Sequence, residues 1–315
     1  MVERTVQLNE KIKALVDNVE KVIVGKRGTI ELVVAAMLAG GHVLIEDVPG
    51  VGKTQLVSAL AKSCKGEFGR IQMTPDVMPT DITGFTMIDT LTHESRLHKG
   101  ATFCNFLLAD EINRSSPKSQ SALLETMEER QVSIDGVTHE LPKPFMVLAT
   151  QNSVETYGTY HLPEAQMDRF MMRLSIGYPD RQQEMRMVAQ ALVGRTPDKA
   201  EAVCTGDDVL AMRTEVAQVV VKEAMIGYME EIVGLTRQEP RFLLGASPRA
   251  LLALVRAAQA RAYLEGRDYV KPDDVKAVAE KVLLHRLVLS AEARIQKADA
   301  AEILKALIIK AKIPV

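Results

Sequence analysis

The sequence has few cysteines, almost no net charge and no long unbroken apolar run, and each shortage closes off a class of function. Its three cysteines, Cys64, Cys104 and Cys204, stand far apart in the chain with no metal-ligand spacing. Their odd number suits a reducing compartment better than a disulfide framework, and they read as small buried hydrophobes. The net charge is −2, so no basic excess marks nucleic acid or an anionic membrane as the main partner, although a local basic patch stays open. The longest apolar stretch, Leu32–Ile45, is interrupted by Gly40 and Gly41 and is too short to span a bilayer. No N-terminal apolar run resembles a signal peptide, and the expected location is the cytoplasm. Repeats, low-complexity runs and long linkers are also missing.

What is present is an ordinary globular composition, 47% hydrophobic and 25% charged over 315 residues. Such a chain makes one or two domains and buries most of its apolar surface without disulfides. The most informative stretch is Gly40–Gln55. Val43–Ile45 reads as a buried strand. A loop with Gly50 and Gly52 follows, then Lys53-Thr54, then the helical spacing of Leu56, Val57, Leu60 and Ala61. Strand, glycine loop, Gly-Lys-Thr and helix is the layout of a P-loop. Glycines let backbone N–H groups approach phosphate oxygens without a Cβ in the way. The helix start adds unsatisfied donors and the positive end of its dipole. Lys53 supplies a cation for β- and γ-phosphates, and Thr54 a hydroxyl for Mg2+. One position departs from the motif: Asp47 stands where the first glycine belongs. A side chain turned away from the anion is tolerable there, whereas one facing it repels the phosphates.

Two helical spacings, Gln7–Val22 and Thr29–Leu38, precede the loop, and Phe68–Met73 is a second strand candidate. Thr74–Gly100 is long for a plain connection and reads as a functional insert, with Phe85–Leu91 and Arg96–Phe103 pairing as a hairpin. Phe106–Glu111 is an apolar run closing in two carboxylates. Downstream of a P-loop it reads as a central strand whose C-terminal end carries the acids, where ligands of parallel sheets gather. Asp110 then holds the Mg2+ shell through water and Glu111 polarises the attacking water.

Ser116-Pro117 starts a helix that runs to about Arg130, and its Glu128-Glu129-Arg130 end reads as solvated. Gln131–Leu141 carries the hairpin signal Asp135-Gly136. Phe145–Thr150 is another strand, ending in Gln151-Asn152. There Asn152 either orients the water or is an ordinary turn residue. Arg173–Tyr178 is the fifth strand candidate. Beyond Pro179-Asp180 every strong pattern is helical: Arg181–Leu192, Asp207–Val221, Ala224–Leu235, Pro248–Leu264, Pro272–Leu289 and Asp299–Ile309. His161 and His285 have no second ligand at useful spacing and read as packing or surface residues.

Together these stretches resemble the AAA+ ATPases of the MoxR type. The resemblance is carried by Leu44–Thr54, Thr74-Pro75-Asp76 with Asp81–Gly84, Leu107–Arg114, Ser121–Asp135, Ala149–Asn152, Gly158–Phe170, Tyr178-Pro179-Asp180 and Gly245–Arg249. Lys99–Cys104 departs from it, lacking the Gly-Pro usual before the Phe. The resemblance implies an α/β fold: a three-layer αβα core with a five-stranded parallel sheet over residues 1–180, followed by a smaller all-α lid domain over 181–315. It implies ATP and Mg2+ as ligands and a ring, commonly a hexamer, with ATP between subunits. Nucleotide contacts are implied at Val24, Gly25, Pro49, Gly50, Val51, Gly52, Lys53, Thr54 and Gln55, and metal contacts at Thr54 and Asp110. Catalytic roles are implied for Lys53 and Glu111, for Asn152 as sensor 1, and for Arg249 as sensor 2, acting in cis or in trans. Arg169 becomes the arginine finger reaching a neighbour's γ-phosphate, with Arg173 and Arg114 in reserve. Its alternative is a pairing with a carboxylate of its own subunit. The insert and the second hairpin are expected to face the pore or the partner. Members of this type resemble chaperones that remodel or mature other complexes, often with a von Willebrand A-domain partner and sometimes for metal-cofactor insertion. Two other functions remain: a nucleotide-switched binding module with little hydrolysis, favoured only by Asp47, and a nucleic-acid-directed motor, disfavoured by the near-neutral charge.

Overall fold

The structure is a computed structural model that describes residues 2–48, 50–88, 94–152, 158–192 and 200–314. Two helices, α1 (Val2–Val22) and α2 (Arg27–Leu38), lead into β1 (Val43–Glu46), α3 (Lys53–Ser63) and β2 (Phe68–Gln72). The short α4 (Pro79–Thr83) and a hairpin, β3 (Gly84–Ile88) with β4 (Ser95–Lys99), follow. Next come β5 (Phe106–Asp110), α5 (Pro117–Glu129), a second hairpin of β6 (Gln131–Ile134) and β7 (Val137–Glu140), β8 (Met146–Gln151), α6 (Glu164–Met167) and β9 (Met172–Leu174). The C-terminal part holds α7 (Arg181–Leu192), α8 (Gly206–Ala217), α9 (Glu223–Gln238), β10 (Phe242–Leu244), α10 (Pro248–Leu264), α11 (Pro272–Leu283), β11 (Val288–Leu289), α12 (Ala291–Ile295) and α13 (Ala300–Lys310).

Five strands form one parallel sheet in the order β2-β5-β8-β1-β9. The three central strands are almost wholly apolar because helices cover both of their faces. One core lies between the sheet and α1–α3 and continues into the C-terminal helices, joining Val33, Leu60, Val209 and Leu254. A second packs α5, through Leu123, Leu124 and Met127, against Leu107 and Val147. All five strands run the same way, so the sheet has one edge of strand ends and an opposite edge of strand starts.

α5 fastens onto the edge of strand starts. Ser116 caps it, accepting from the Ser119 N–H at 3.3 Å, and Pro117 opens its first turn. At its other end, Arg130 Nη2 donates to the Gly40 carbonyl at 2.7 Å. His42 bridges the same region. Its Nδ1 accepts from the Val147 N–H at 2.9 Å, so its Nε2 carries the proton and donates to the Met127 carbonyl at 2.9 Å. The ring is buried, and burial pushes its pKa down to about 4 from an ordinary 6.5. The neutral form therefore stabilises the fold above pH 6.5, and that contribution is lost as pH falls toward 4. We expect the unfolding free energy to drop by about 2 kcal/mol between pH 7 and pH 5 on account of this residue. Urea titrations of wild type and His42→Gln, whose amide can both donate and accept, check this. Equal pH dependence in the two proteins would rule His42 out.

Two elements differ from expectation. The fifth strand ends at Leu174 instead of continuing to Tyr178, because the N–H groups of Ile176 and Gly177 bond a carboxylate, described below, in place of a ladder partner. The helix expected over Pro272–Leu289 stops at Leu283, and Val288–Leu289 pairs antiparallel with Phe242–Leu244. His285 and Arg286 are buried there and bond core carbonyls, which a continued helix would turn them away from. The lid is thus helical with one small strand pair. Both hairpins form, the first with its second arm at Ser95–Lys99 in place of Arg96–Phe103 and with 89–93 outside the described residues. Asp135 and Gly136 both take positive φ, 50° and 80°, as a tight two-residue turn requires. All three cysteines are buried free thiols, and Cys204 Sγ lies 3.5 Å from the Ser63 carbonyl, next to Cys64. Among the described residues no helix is long and apolar enough to cross a membrane.

Candidate active site

The edge of strand ends gathers most of the residues singled out in the sequence. β1 runs into a loop that turns at Gly50 (φ +84°) and Gly52 (φ +89°), conformations that favour glycine, and Lys53 begins α3. A Cβ at Gly50 would enter open space, so the region outside the loop is clear. Gly52 occupies the helix cap and has no side chain to bond the first turn, whose N–H donors can therefore serve an anion. Lys53 Nζ donates to the Asp47 carbonyl at 2.9 Å. Burial lowers the lysine pKa, against the attraction of Asp47, Asp110 and Glu111. Val51 packs against the main core, Thr54 is half-buried and Gln55 exposed on the first helical turn. Pro49 lies outside the described residues. Val24 is exposed, and Gly25 (φ +73°) lies against the Gln183 side chain at the start of α7.

Asp47 does not face the loop's interior. Its carboxylate accepts from the backbone N–H groups of Ile176 and Gly177 and from the Ser175 hydroxyl at 3.1 Å. The side chain is buried and fastens the start of the loop to the segment that leads into α7. Restoring the consensus glycine would strand buried donors. Asp47→Gly is therefore expected to lose about 2–4 kcal/mol of stability, read by thermal or urea unfolding. A variant as stable as wild type would mean the anchor is idle.

At the end of β5, separated from β1 by β8, Asp110 Oδ1 accepts from the Thr150 hydroxyl at 2.6 Å and Oδ2 from Arg70 Nη2 at 2.9 Å. Glu111 follows in left-handed backbone conformation (φ 55°, ψ 53°), and its N–H donates to Thr150 Oγ1 at 2.8 Å. A non-glycine residue held there costs about 1–3 kcal/mol and is tolerated where the surroundings over-determine it. Arg114 Nη1 meets Glu111 Oε2 at 3.0 Å. Asn152 is buried just beyond the end of β8, where the Asp47 N–H bonds the Gln151 carbonyl at 3.3 Å. Thr54 has a hydroxyl with no protein partner among the described residues, and Asp110 is a hard oxygen donor at the same edge, a donor set that fits Mg2+.

Arg169 and Arg249 are elsewhere. The Met171 N–H bonds the His42 carbonyl at 2.9 Å, which puts the chain before β9 on the edge of strand starts. Arg169 Nε lies 3.2 Å from Glu128 Oε2, and Arg249 Nη1 lies 3.0 Å from Glu128 Oε1. The pairing of Arg169 within its own chain is thus present, with Glu128, and the Glu128-Glu129-Arg130 run is not simply solvated. The buried arginine of this region is Arg286, which binds Asp168 Oδ1 through Nε at 2.5 Å, while Asp168 also accepts from Ser247 at 3.1 Å. Arg173 pairs with Glu46 at 3.0 Å.

Residues 42–172 match the ATPase family associated with various cellular activities (AAA), and residues 234–307 match an AAA lid domain. The chain is 47% identical to YeaC of Bacillus subtilis, an uncharacterised protein, over 95% of this chain and 94% of that one. It is 43% identical to the protein named Chaperone MoxR1 of Mycobacterium tuberculosis, over 87% of this chain and 75% of that one. A crystal structure of a candidate ATPase from Cytophaga hutchinsonii superimposes with a TM-score of 0.92 at 40% identity, covering 99% of this chain and 98% of that one.

Proposed function

This chain belongs to the MoxR type of AAA+ ATPases, and from that premise we propose that it hydrolyses ATP within a ring of like subunits to remodel or mature partner protein complexes. The observation that carries the reading is the division of the candidate residues between two opposite edges of one sheet. Lys53, Asp110, Glu111 and Asn152 sit at the strand ends, Arg169 and Arg249 beside the strand starts. β1 alone, four residues long, puts roughly 13 Å between the edges. Arg169 cannot reach a nucleotide held by its own Lys53. A neighbour in a ring can supply it, which makes hydrolysis depend on assembly. Arg249 shares Glu128 with Arg169, so it too acts in trans. Arg114 pairs with its own chain's Glu111 and is the poorer choice of finger.

Each residue then has a task. Lys53 and the open first turn of α3 hold the β- and γ-phosphates. Thr54 and Asp110 would hold Mg2+, which supplies positive charge to the phosphates when bound. Glu111 takes the proton of the attacking water and Asn152 orients that water. Val24, Gly25 and Gln55 complete the nucleotide contacts. The nucleotide-binding unit is taken as residues 1–180 and the lid as 181–315. A hexamer, a von Willebrand A-domain partner, a protein client, in some settings one receiving a metal cofactor, and a cytoplasmic location complete the proposal. Protein is preferred to nucleic acid as the target because the net charge is −2. The switch-module alternative rested on Asp47, whose carboxylate is turned onto Ile176 and Gly177 and does not repel the phosphates.

Lys53→Ala tests the premise. Removing a charge-assisted contact should weaken ATP binding about 10- to 100-fold, measured by calorimetry. A variant that binds as wild type does would contradict the P-loop assignment.

A further inference from the structure

Glu128 carries two arginines from two parts of the chain. One carboxylate oxygen meets Arg169 from the core at 3.2 Å, the other meets Arg249 from the first turn of α10 at 3.0 Å. The side chains are partly exposed, 38% for Glu128, 30% for Arg169 and 45% for Arg249. Ion pairs as open as these add little to stability, so holding the fold together is a poor explanation for the arrangement. Position is a better one. Glu128 stands between two fixed points: the Met127 carbonyl accepts from His42, and the Arg130 side chain grips the Gly40 carbonyl. Both partners belong to the segment that enters β1, so the carboxylate rides on the central sheet. The contact of Arg169 with Glu128 is made through Nε, at 3.2 Å. Arg249 donates to the same carboxylate from one terminal nitrogen, Nη1. A guanidinium carries five donors in a planar fork, so sharing one carboxylate does not use up the donors that suit phosphate oxygens. Without the shared carboxylate, the two like charges would repel and each arginine would recover its rotamer freedom.

We propose that Glu128 is a positioning residue whose carboxylate fixes Arg169 and Arg249 as one two-armed phosphate receptor for the nucleotide of the adjoining subunit. The proposal rests on the trans reading of Arg169 given above. Glu128 touches neither nucleotide nor water; it acts through the arginines. It also ties the lid arginine to the core, so a lid displaced from its own core would withdraw Arg249 and break the receptor.

The test uses assembled protein and four variants. Glu128→Gln keeps the shape and removes the charge; it should lower kcat about tenfold, as expected for a catalytic group left slightly misplaced. KM and the unfolding temperature should stay near wild type. Glu128→Asp, which keeps the charge on a shorter arm, should recover part of the loss. Co-assembly separates this role from a general defect. Rings containing Glu128→Gln and Lys53→Ala subunits should regain activity, because the lesions lie on opposite edges. Rings containing Glu128→Gln and Arg169→Ala subunits should not, because both lesions lie on one edge. Normal kcat in Glu128→Gln, with Arg169→Ala inactive, would overturn this proposal and leave the trans reading standing. Full activity in Arg169→Ala would overturn both. A lower unfolding temperature in Glu128→Gln that accounts for the lost activity would also overturn it, by returning Glu128 to a structural role.

Discussion

Glu111→Gln is expected to bind ATP as wild type does and to hydrolyse it about 100-fold more slowly or worse. The amide keeps the size of the side chain, and the backbone bond from residue 111 to Thr150 does not depend on the carboxylate. What is lost is the proton acceptor. Glu111 is placed by three constraints: the left-handed backbone, the Thr150 hydroxyl that also bonds Asp110, and the ion pair with Arg114. Such a placement tolerates little substitution in function even where the fold accepts it. Turnover is measured on the assembled protein under saturating ATP and Mg2+. Undiminished hydrolysis would remove Glu111 from the role of base.

Arg169→Ala should lower hydrolysis on the order of 10³-fold, the scale of an arginine supplied across an interface. ATP affinity should hardly change, because the residue lies at the sheet edge opposite its own P-loop. Stability should hardly change either, since its partly exposed pair with Glu128 contributes at most about 1 kcal/mol. The combination of intact binding, intact fold and lost turnover separates a trans finger from a residue that merely pairs with Glu128. Loss of ATP binding in the variant would place Arg169 at its own subunit's nucleotide and contradict the geometry.

Much of this arrangement was legible in the sequence because local chemistry determines it. The P-loop is set by glycines that must take positive φ and by an apolar strand before and a helix after them. The acid strand is legible because Phe106–Ala109 can only be buried on both faces, which delivers Asp110 and Glu111 to a strand end. The hairpin at Asp135-Gly136 and the helix start at Ser116-Pro117 follow from turn and cap preferences. What was not legible depends on residues distant in the chain. Nothing near Asp47 announces that its carboxylate will be taken by the N–H groups of Ile176 and Gly177, or that this will cut the fifth strand short. Arg286 lies 118 residues from Asp168, and its burial against the core's carbonyls is what ends the preceding helix early. Glu128 looks like a solvated helix end until the lid brings Arg249 to it. Thr150, a hydroxyl at the end of an apolar strand, is the one missed residue with a local signal.

The central claim is that one active site is built from two subunits, and mixing two inactive variants tests it most directly. Lys53→Ala keeps the arginine edge and loses the P-loop lysine; Arg169→Ala keeps the P-loop and loses the arginine. Co-expressed with two different tags and purified through both, the variants enter the same assembly. Some boundaries in such an assembly then pair an intact P-loop with an intact arginine. The account predicts that the mixed assembly hydrolyses ATP well above the sum of the two variants assayed alone. A doubly tagged assembly no more active than its inactive parts would contradict it.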